Sequence, residues 1–429
     1  MLPTVRSDEH LFSVPKFDLV AEDVRGFLHE LREFHAMFAE CFQRSESREH
    51  FYRYMAGQIG PLERKTIEPI AMATEGGNVR TIQRFVSDAP WDEEKMIAKY
   101  RSLVSLDFGN PNAALVFDES SFVKKGKESI GVARQYCGTL GKVENCQVGV
   151  FAAYVSESGY ALVDKRIFIP EKWFSDDYHD RRKKCNLPDE VVFQTKPELA
   201  AEMLKAISKE NELPFKYILA DTVYGVSPEF ISAAEALQDK TYFVSIPKDT
   251  QCWLRQPMTI TKEYQWGGKT RKKTVLSDPK GKPLSVSTLA KNTSDFFWYR
   301  RQVSEGAKGP IGYEFTRRKV ILASSGLPQK TVWLLIKRTI GSGQEYSYYI
   351  SNASRSTSLR TLVWLSGLRW AIEQCFEETK TELGMDHYEI RKYPGWHHHI
   401  LTCMLAHYFL WHLKIRLGKK STIYYVVAA

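Results

Sequence analysis

The sequence predicts a mixed α/β protein: a mixed sheet with flanking helices, an all-helical N-terminal region and a β-rich insertion. Three observations predict it. Apolar residues recur with a helical period over about 21–104. Short β-branched and aromatic runs follow, first as neighbouring hairpin-like strands and then alternating with amphipathic stretches. From about 248 to 345, short strands alternate with Gly/Lys/Ser loops such as QWGGKTRKK and SDPKGKP.

The elements follow in order. AEDVRGFLHELREFHAMFAECF places Val24, Phe27, Leu28, Leu31, Phe34, Met37 and Phe38 on one helical stripe. Further helices are expected near 47–57, 62–73, 79–88 and 92–104. The third and fourth of the N-terminal helices, broken by Gly76-Gly77, read equally as a helix-turn-helix or as an ordinary bundle turn. AALVFD (113–118) is a short apolar strand ending in a carboxylate. SIGVARQYCG, NCQVGVFAAYVS and YALVDKRIFIP are further strands bounded by Gly, Asn or Ser. PELAAEMLKAISKENE (197–212) is a helix entered through Pro197. FKYILAD (215–221) is a second strand ending in Asp, followed by a helix in SPEFISAAEALQD and a strand in TYFVSIP. EYSYYISNA (345–353) is a strand, and the chain is expected to be helical from Ser358 to about 416. The organisation is therefore a helical region over 1–108, an α/β part over 109–247, a basic β-rich insertion over 248–345, and a return to the α/β part over 346–429.

Length and composition bound the partner. A chain of 429 residues, 43% hydrophobic and 26% charged, excludes disorder and fibrous classes. No apolar run approaches a membrane span, and MLPTVRSDEHLF lacks the apolar core of a signal peptide. Seven scattered cysteines without a CxxC read as reduced thiols in the cytoplasm. The net charge is +9, but it is uneven: −4 over 1–100, −3 over 101–240, +13 over 241–357 and +3 over 358–429. The basic segment is either a solubilising surface or a surface for phosphates, such as those of nucleic acid.

Three carboxylates are singled out. Asp118 and Asp221 end strands, where sheets present functional groups. The third, Glu373, lies on the helix expected over SLRTLVWLSGLRWAIEQCFEETKTELG. There Leu368, Ile372, Cys375, Phe376, Thr379 and Leu383 form a core-facing stripe. Arg369, Glu373, Glu377 and Lys380 lie beside that stripe. A solvated helix with i,i+4 ion pairs explains these four residues alone. Converging carboxylates, however, repel unless cations neutralise them, and hard oxygen donors select Mg²⁺ or Mn²⁺.

The order VFDES, LADTVYG and RWAIEQCFEETKTELGMDHYE resembles the DDE transposases of bacterial insertion sequences. It is most similar to the cut-and-paste group with a Tyr-x2-Arg-x3-Glu-x6-Lys signature, which Arg369, Glu373 and Lys380 match in spacing. The resemblance covers roughly 110–250 and 345–410. It implies an RNase H-like catalytic domain interrupted by a β-rich insertion. It makes Asp118, Asp221 and Glu373 the catalytic residues and ligands of two Mg²⁺ ions, with Mn²⁺ as a substitute. It gives Arg369 and Lys380 contacts to DNA phosphates. Function follows as binding of terminal inverted repeats, hydrolysis at the element ends and transfer of the 3′-OH to target DNA. The implied protein is a homodimer on double-stranded DNA, in the bacterial cytoplasm at the nucleoid. The alternative is a non-catalytic DNA-binding protein derived from such an enzyme. The signature Tyr is replaced by Ser366, which removes its aromatic surface; Trp364 and Trp370 lie nearby.

Other residues are weighed alongside. Lys124, Lys125, Arg271, Lys272, Lys273, Arg317, Arg318 and Lys319 are candidate DNA contacts. Trp266 and Trp298 read as strand packing ahead of base-stacking wedges. His397-His398-His399 reads as the start of a buried helix ahead of a metal site. Glu119 and Asp107 are supporting or surface charges. Asp176, Asp177 and Asp180, with Arg181, Arg182, Lys183 and Lys184, read as a solvated turn, and Asp386 as a helix-terminus cap.

Overall fold

The computed structural model describes residues 21–420 except 268, 307, 308 and 342, and side chains outside 21–25, 303–311 and 418–420. The expectations for the first 20 residues and for Val24 lie outside the described residues. The described chain divides into two compact units, one formed by 21–216 with 369–420 and one by Tyr217–Leu368.

The first unit opens with α1 (Ala21–Ala36), α2 (Ser45–Ile59), α3 (Ile67–Ala73), α4 (Val79–Asp88) and α5 (Glu93–Phe108). Asn78 and Asp92 cap α4 and α5 by accepting from backbone N–H groups three positions on. Phe34, Phe38, Phe42, Phe51 and Phe85 are buried together, with Trp91 stacked on Phe85. Leu28 and Met37 are exposed, so the stripe on α1 is narrower than its periodicity suggested.

The sheet of this unit is β1 (Ala114–Val123), β2 (Ala133–Cys137), β3 (Lys142–Ser156) and β4 (Gly159–Phe168), all antiparallel. β3 is central: β1 runs along one edge, β4 and β2 along the other. The segment expected to be a solvated turn instead forms α6 (His179–Lys184), where Arg182 donates to the Ser175 carbonyl and Arg181 lies 4.8 Å over the Tyr178 ring. Next, α7 (Lys196–Glu210) begins with a capping box between Thr195 and Glu198 and ends at Asn211 in the left-handed region.

In the second unit, β5 (Tyr217–Ala220) leads through α8 (Thr222–Gly225) and α9 (Pro228–Ala236) to β6 (Thr241–Ile246), parallel to β5. Then come β7 (Gln251–Trp253), β8 (Thr259–Trp266), β9 (Lys269–Leu276), β10 (Leu284–Ser285), α10 (Val286–Lys291), β11 (Tyr299–Gly306), β12 (Gly309–Ser324), β13 (Leu327–Thr339), β14 (Tyr346–Ser351) and α11 (Leu359–Leu368). The strand order is β10-β7-β12-β13-β14-β6-β5, with β11 also on β12. β8 and β9 form a separate two-stranded ribbon.

The chain returns to the first unit with α12 (Trp370–Thr381) and α13 (Tyr393–Lys420). The helix expected over 358–384 is therefore split into α11 and α12, and the buried helix expected at the histidine run is α13. The first interruption is at Arg369, and the second spans 382–392. Gly384 explains the second: its φ of 66° is left-handed, and the Met385 N–H closes back onto the Thr379 carbonyl. A Cβ at Gly384 would meet Lys65 Cβ at 2.7 Å. We expect Gly384→Ala to destabilise the protein by about 1–3 kcal/mol, measured by chemical denaturation; unchanged stability would contradict this reading.

α13 is the pillar of the first unit, and its buried residues include the whole stretch Ile400–Phe409. His397, His398 and His399 are buried and engage different partners. His397 Nδ1 lies 2.9 Å from Lys165 Nζ, His398 Nδ1 lies 2.8 Å from the Val86 carbonyl, and His399 Nδ1 lies 2.7 Å from the Tyr54 hydroxyl. His398 also stacks on Trp91 with ring centroids 4.0 Å apart. All seven cysteines are buried and unpaired. No helix among the described residues is long and apolar enough to cross a membrane.

Candidate active site

Asp118 is not at a strand end. β1 continues to Val123, and Asp118 sits at its centre, opposite Phe151 of β3. Before it, Ala114 to Phe117 are wholly buried; at Asp118 and Glu119 burial becomes partial. The polar residues after Asp118 hid this continuation, because Ser120 and Ser121 are buried strand residues in the structure. Asp118 Oδ1 accepts the Glu119 N–H at 2.8 Å. Asp221 does stand immediately after a strand. It caps α8, its Oδ1 accepting the Val223 N–H at 2.9 Å. It belongs to the Tyr217–Leu368 unit, whereas Asp118 and Glu373 share the other.

α12 brings Glu373 to Asp118. Its buried stripe holds Ile372, Cys375, Phe376 and Thr379, and Phe376 meets Phe151 edge-on at 5.2 Å between ring centroids. The expected stripe is thus the buried one. The neighbouring stripe fixes both ends of the helix. At the first turn, Arg369 Nη1 lies 2.9 Å from Asp118 Oδ2 and Arg369 Nη2 lies 2.6 Å from Glu373 Oε1. At the last turn, Lys380 Nζ donates to the Ser121 carbonyl at 3.1 Å and to Thr139 Oγ1 at 3.2 Å. Burial lowers the Lys380 ammonium below its ordinary pKa, with Asp386 opposing the shift.

Between these anchors lies a cleft of about 300 Å³ lined by Asp118, Glu119, Ser121, Thr139, Glu373, Glu377 and Lys380, among others. Glu119 pairs with Lys196 at 2.8 Å. Thr139 and Lys196 carry no signal in the sequence, because strand pairing and helix docking bring them here from distant positions. Glu373 is half exposed while Asp118 is largely buried. Two carboxylates therefore present oxygens to one guanidinium, in a place open to solvent. That donor set is hard oxygen and already focuses on a cation, which fits Mg²⁺ or Mn²⁺. Among the described residues, no group of three or more His, Cys, Asp or Glu side chains is grouped to hold a metal ion.

The remaining candidates disperse. Lys124 turns inward: its Nζ donates to the Tyr388 carbonyl at 2.7 Å and lies 3.3 Å from the ring centroid, and burial pushes the ammonium down to about 7. Lys125 is exposed. Arg317 and Lys319 lie over Trp333, and Arg317 also donates to the Thr357 carbonyl. Arg318 is partly buried. Arg271, Lys272 and Lys273 are exposed on β9. Trp298 is buried beneath Arg338, as packing requires, but Trp266 is 66% exposed and packs no core. Ser366 donates to the Val363 carbonyl of its own helix at 2.6 Å. Asp107 binds the Tyr408 hydroxyl and His412 on α13, so it ties two helices together and does not line the cleft.

Comparison with known proteins decides the family. The profile of the DDE superfamily endonucleases matches residues 37–310, more than half of the chain. The chain belongs to the DDE superfamily endonucleases. In this DDE-superfamily chain the matched residues include Asp118 and Asp221 and stop short of Glu373, which is linked to Asp118 by the Arg369 bridge. The chain is 25% identical over 363 residues to the probable transposase for insertion sequence element IS701 of Microchaete diplosiphon, covering 84% of this chain and 82% of that one. Among solved structures, the piggyBac transposase synaptic complex with hairpin DNA superposes with a TM-score of 0.41 and 9% identity, over 96% of this chain and 79% of that one. The NurA nuclease of Sulfolobus solfataricus superposes with a TM-score of 0.27 and 10% identity, over 74% of this chain and 88% of that one. At these TM-scores neither defines a shared fold.

Proposed function

We propose that this DDE-superfamily endonuclease is the transposase of a bacterial insertion sequence. It binds terminal inverted repeats, hydrolyses the phosphodiester bonds at the element ends, and joins the freed 3′-OH to target DNA. The observation that carries this reading is the convergence of Asp118 and Glu373 on one cation in an open cleft. The likeness to the IS701 probable transposase supports the biological role. Asp118, Glu373 and, by the resemblance, Asp221 would hold two Mg²⁺ ions. When bound, these would activate a water or 3′-OH and stabilise the leaving oxygen. Arg369 orients the two carboxylates toward one another and neutralises their repulsion. Lys380, at the far end of the cleft, supplies positive charge for a DNA phosphate. We assign DNA binding and dimerisation to the helical region 1–108, and place the protein in the cytoplasm at the nucleoid, acting as a homodimer that holds two ends together.

The test is incubation of the purified protein with a duplex carrying the repeats that flank its gene. We expect cleavage leaving 3′-OH ends in Mg²⁺ or Mn²⁺ and none in chelator. Binding without cleavage in either metal would instead make the chain a non-catalytic DNA-binding protein. Arg369→Ala removes the guanidinium that Asp118 and Glu373 share. We expect cleavage to fall about 10²-fold, with a smaller loss in duplex binding. Wild-type cleavage by this variant would remove Arg369 from the site.

A further inference from the structure

The β8–β9 ribbon is exposed along nearly its whole length and packs neither of its faces into a core. A lone two-stranded hairpin is only marginally stable in water, so its side chains call for another explanation. The register supplies one. Directly opposed residues share a face, and faces alternate along each strand. Lys262 opposes Lys273, Tyr264 opposes Arg271, and Trp266 opposes Lys269. These six side chains share one face, which carries four cations, two aromatic rings and no carboxylate. The other face pairs Thr261 with Thr274, Glu263 with Lys272 and Gln265 with Thr270. Its one cation is neutralised, with Lys272 Nζ 3.3 Å from Glu263 Oε1. Sorting every unpaired charge to one side is not what solubility requires. The opposed Lys262–Lys273 pair is also unfavourable across a strand pair unless an anion lies over it.

We propose that the Lys262/Lys269/Arg271/Lys273 face of this ribbon lies against double-stranded DNA, with its cations on phosphates and Tyr264 and Trp266 against sugar and base edges. A two-stranded ribbon has the width the major groove admits. This rests on the transposase reading and divides the candidates Arg271, Lys272 and Lys273: the first and third face DNA, and Lys272 faces away.

The experiment measures affinity for a terminal-repeat duplex over a range of salt concentrations. The variants are the quadruple K262Q/K269Q/R271Q/K273Q, the single R271Q and K272Q, and W266A. All positions are exposed, so folding is unaffected. Each phosphate contact contributes about 0.9 to the slope of log K against log salt. The quadruple variant loses about 3–4 from that slope. Arg271→Gln loses about 1, and Lys272→Gln leaves the slope unchanged. Trp266→Ala weakens binding at the wild-type slope. A wild-type slope in the quadruple variant, or an equal loss from Lys272→Gln and Arg271→Gln, overturns the proposal. So does a slope change seen only with single-stranded DNA. A wild-type protein that binds no duplex at all overturns the transposase reading itself, so the two failures are distinguishable.

Discussion

We expect Asp118→Asn, Asp221→Asn and Glu373→Gln each to lose metal-dependent cleavage of terminal-repeat DNA by at least about 10³-fold while retaining duplex binding. The substitutions keep size and some hydrogen bonding, so Asp118→Asn still accepts from Arg369 and the α12 anchor at Lys380 is untouched. What is removed is one negative charge and one hard oxygen donor. In phosphodiester hydrolysis this is the loss that matters, because a poorly held cation neither activates the nucleophile nor neutralises the leaving oxygen. Gel assays of nicking and joining, with binding measured in parallel, check it. Near-wild-type cleavage by any one variant removes that residue from the catalytic set.

The second large effect is on stability. Burial lowers the pKa of His397 and His398 to about 4 and of His399 to about 3, from an ordinary 6.5. Lys165 and Arg166 add to the lowering at His397, whereas Glu93 opposes it. Burial alone would raise the Glu93 carboxyl, but Lys165 and His397 hold it well below the ordinary range, so it stays ionised through this titration. Below pH 6.5 the unfolded chain takes up three protons that the folded chain refuses, two until about pH 4 and the third until about pH 3. Stability is therefore complete above pH 6.5 and falls as the pH drops toward 4. At pH 5 the loss is about 2 kcal/mol per histidine if the three act independently. Thermal unfolding at pH 7.5 and pH 5 checks this. We expect the midpoint to fall by roughly 5–10 °C, and equal midpoints would show that these rings titrate normally.

Local signals in the chain carried much of the architecture. The helices α2, α4, α5 and α7 and the strands β3, β4 and β14 follow periodicity, caps and turn residues close to their observed bounds. So does the buried stripe of α12, which implies that Glu373 borders the core. What was hidden depends on partners far along the chain. Asp118 looked like a strand end because Glu119, Ser120 and Ser121 are polar, yet pairing with β3 continues the strand through them. Lys124 looked like a DNA contact until Tyr388, 264 positions later, took its ammonium. The break at Arg369 is invisible to a hydrophobic period, which runs on through it. The charge excess of 241–357 was evident, but its meaning required the β8–β9 register, which separates Lys272 from Arg271 and Lys273.

We propose that Asp118, Glu373 and Asp221 hold the divalent ions used to cut DNA. Mn²⁺ titration of the protein bound to its terminal-repeat duplex, followed by electron paramagnetic resonance, measures it without relying on turnover. We expect two bound Mn²⁺ per protomer in the wild type and loss of binding in Asp118→Asn and Glu373→Gln. Equal Mn²⁺ binding by the wild type and both variants would remove Asp118 and Glu373 as metal ligands.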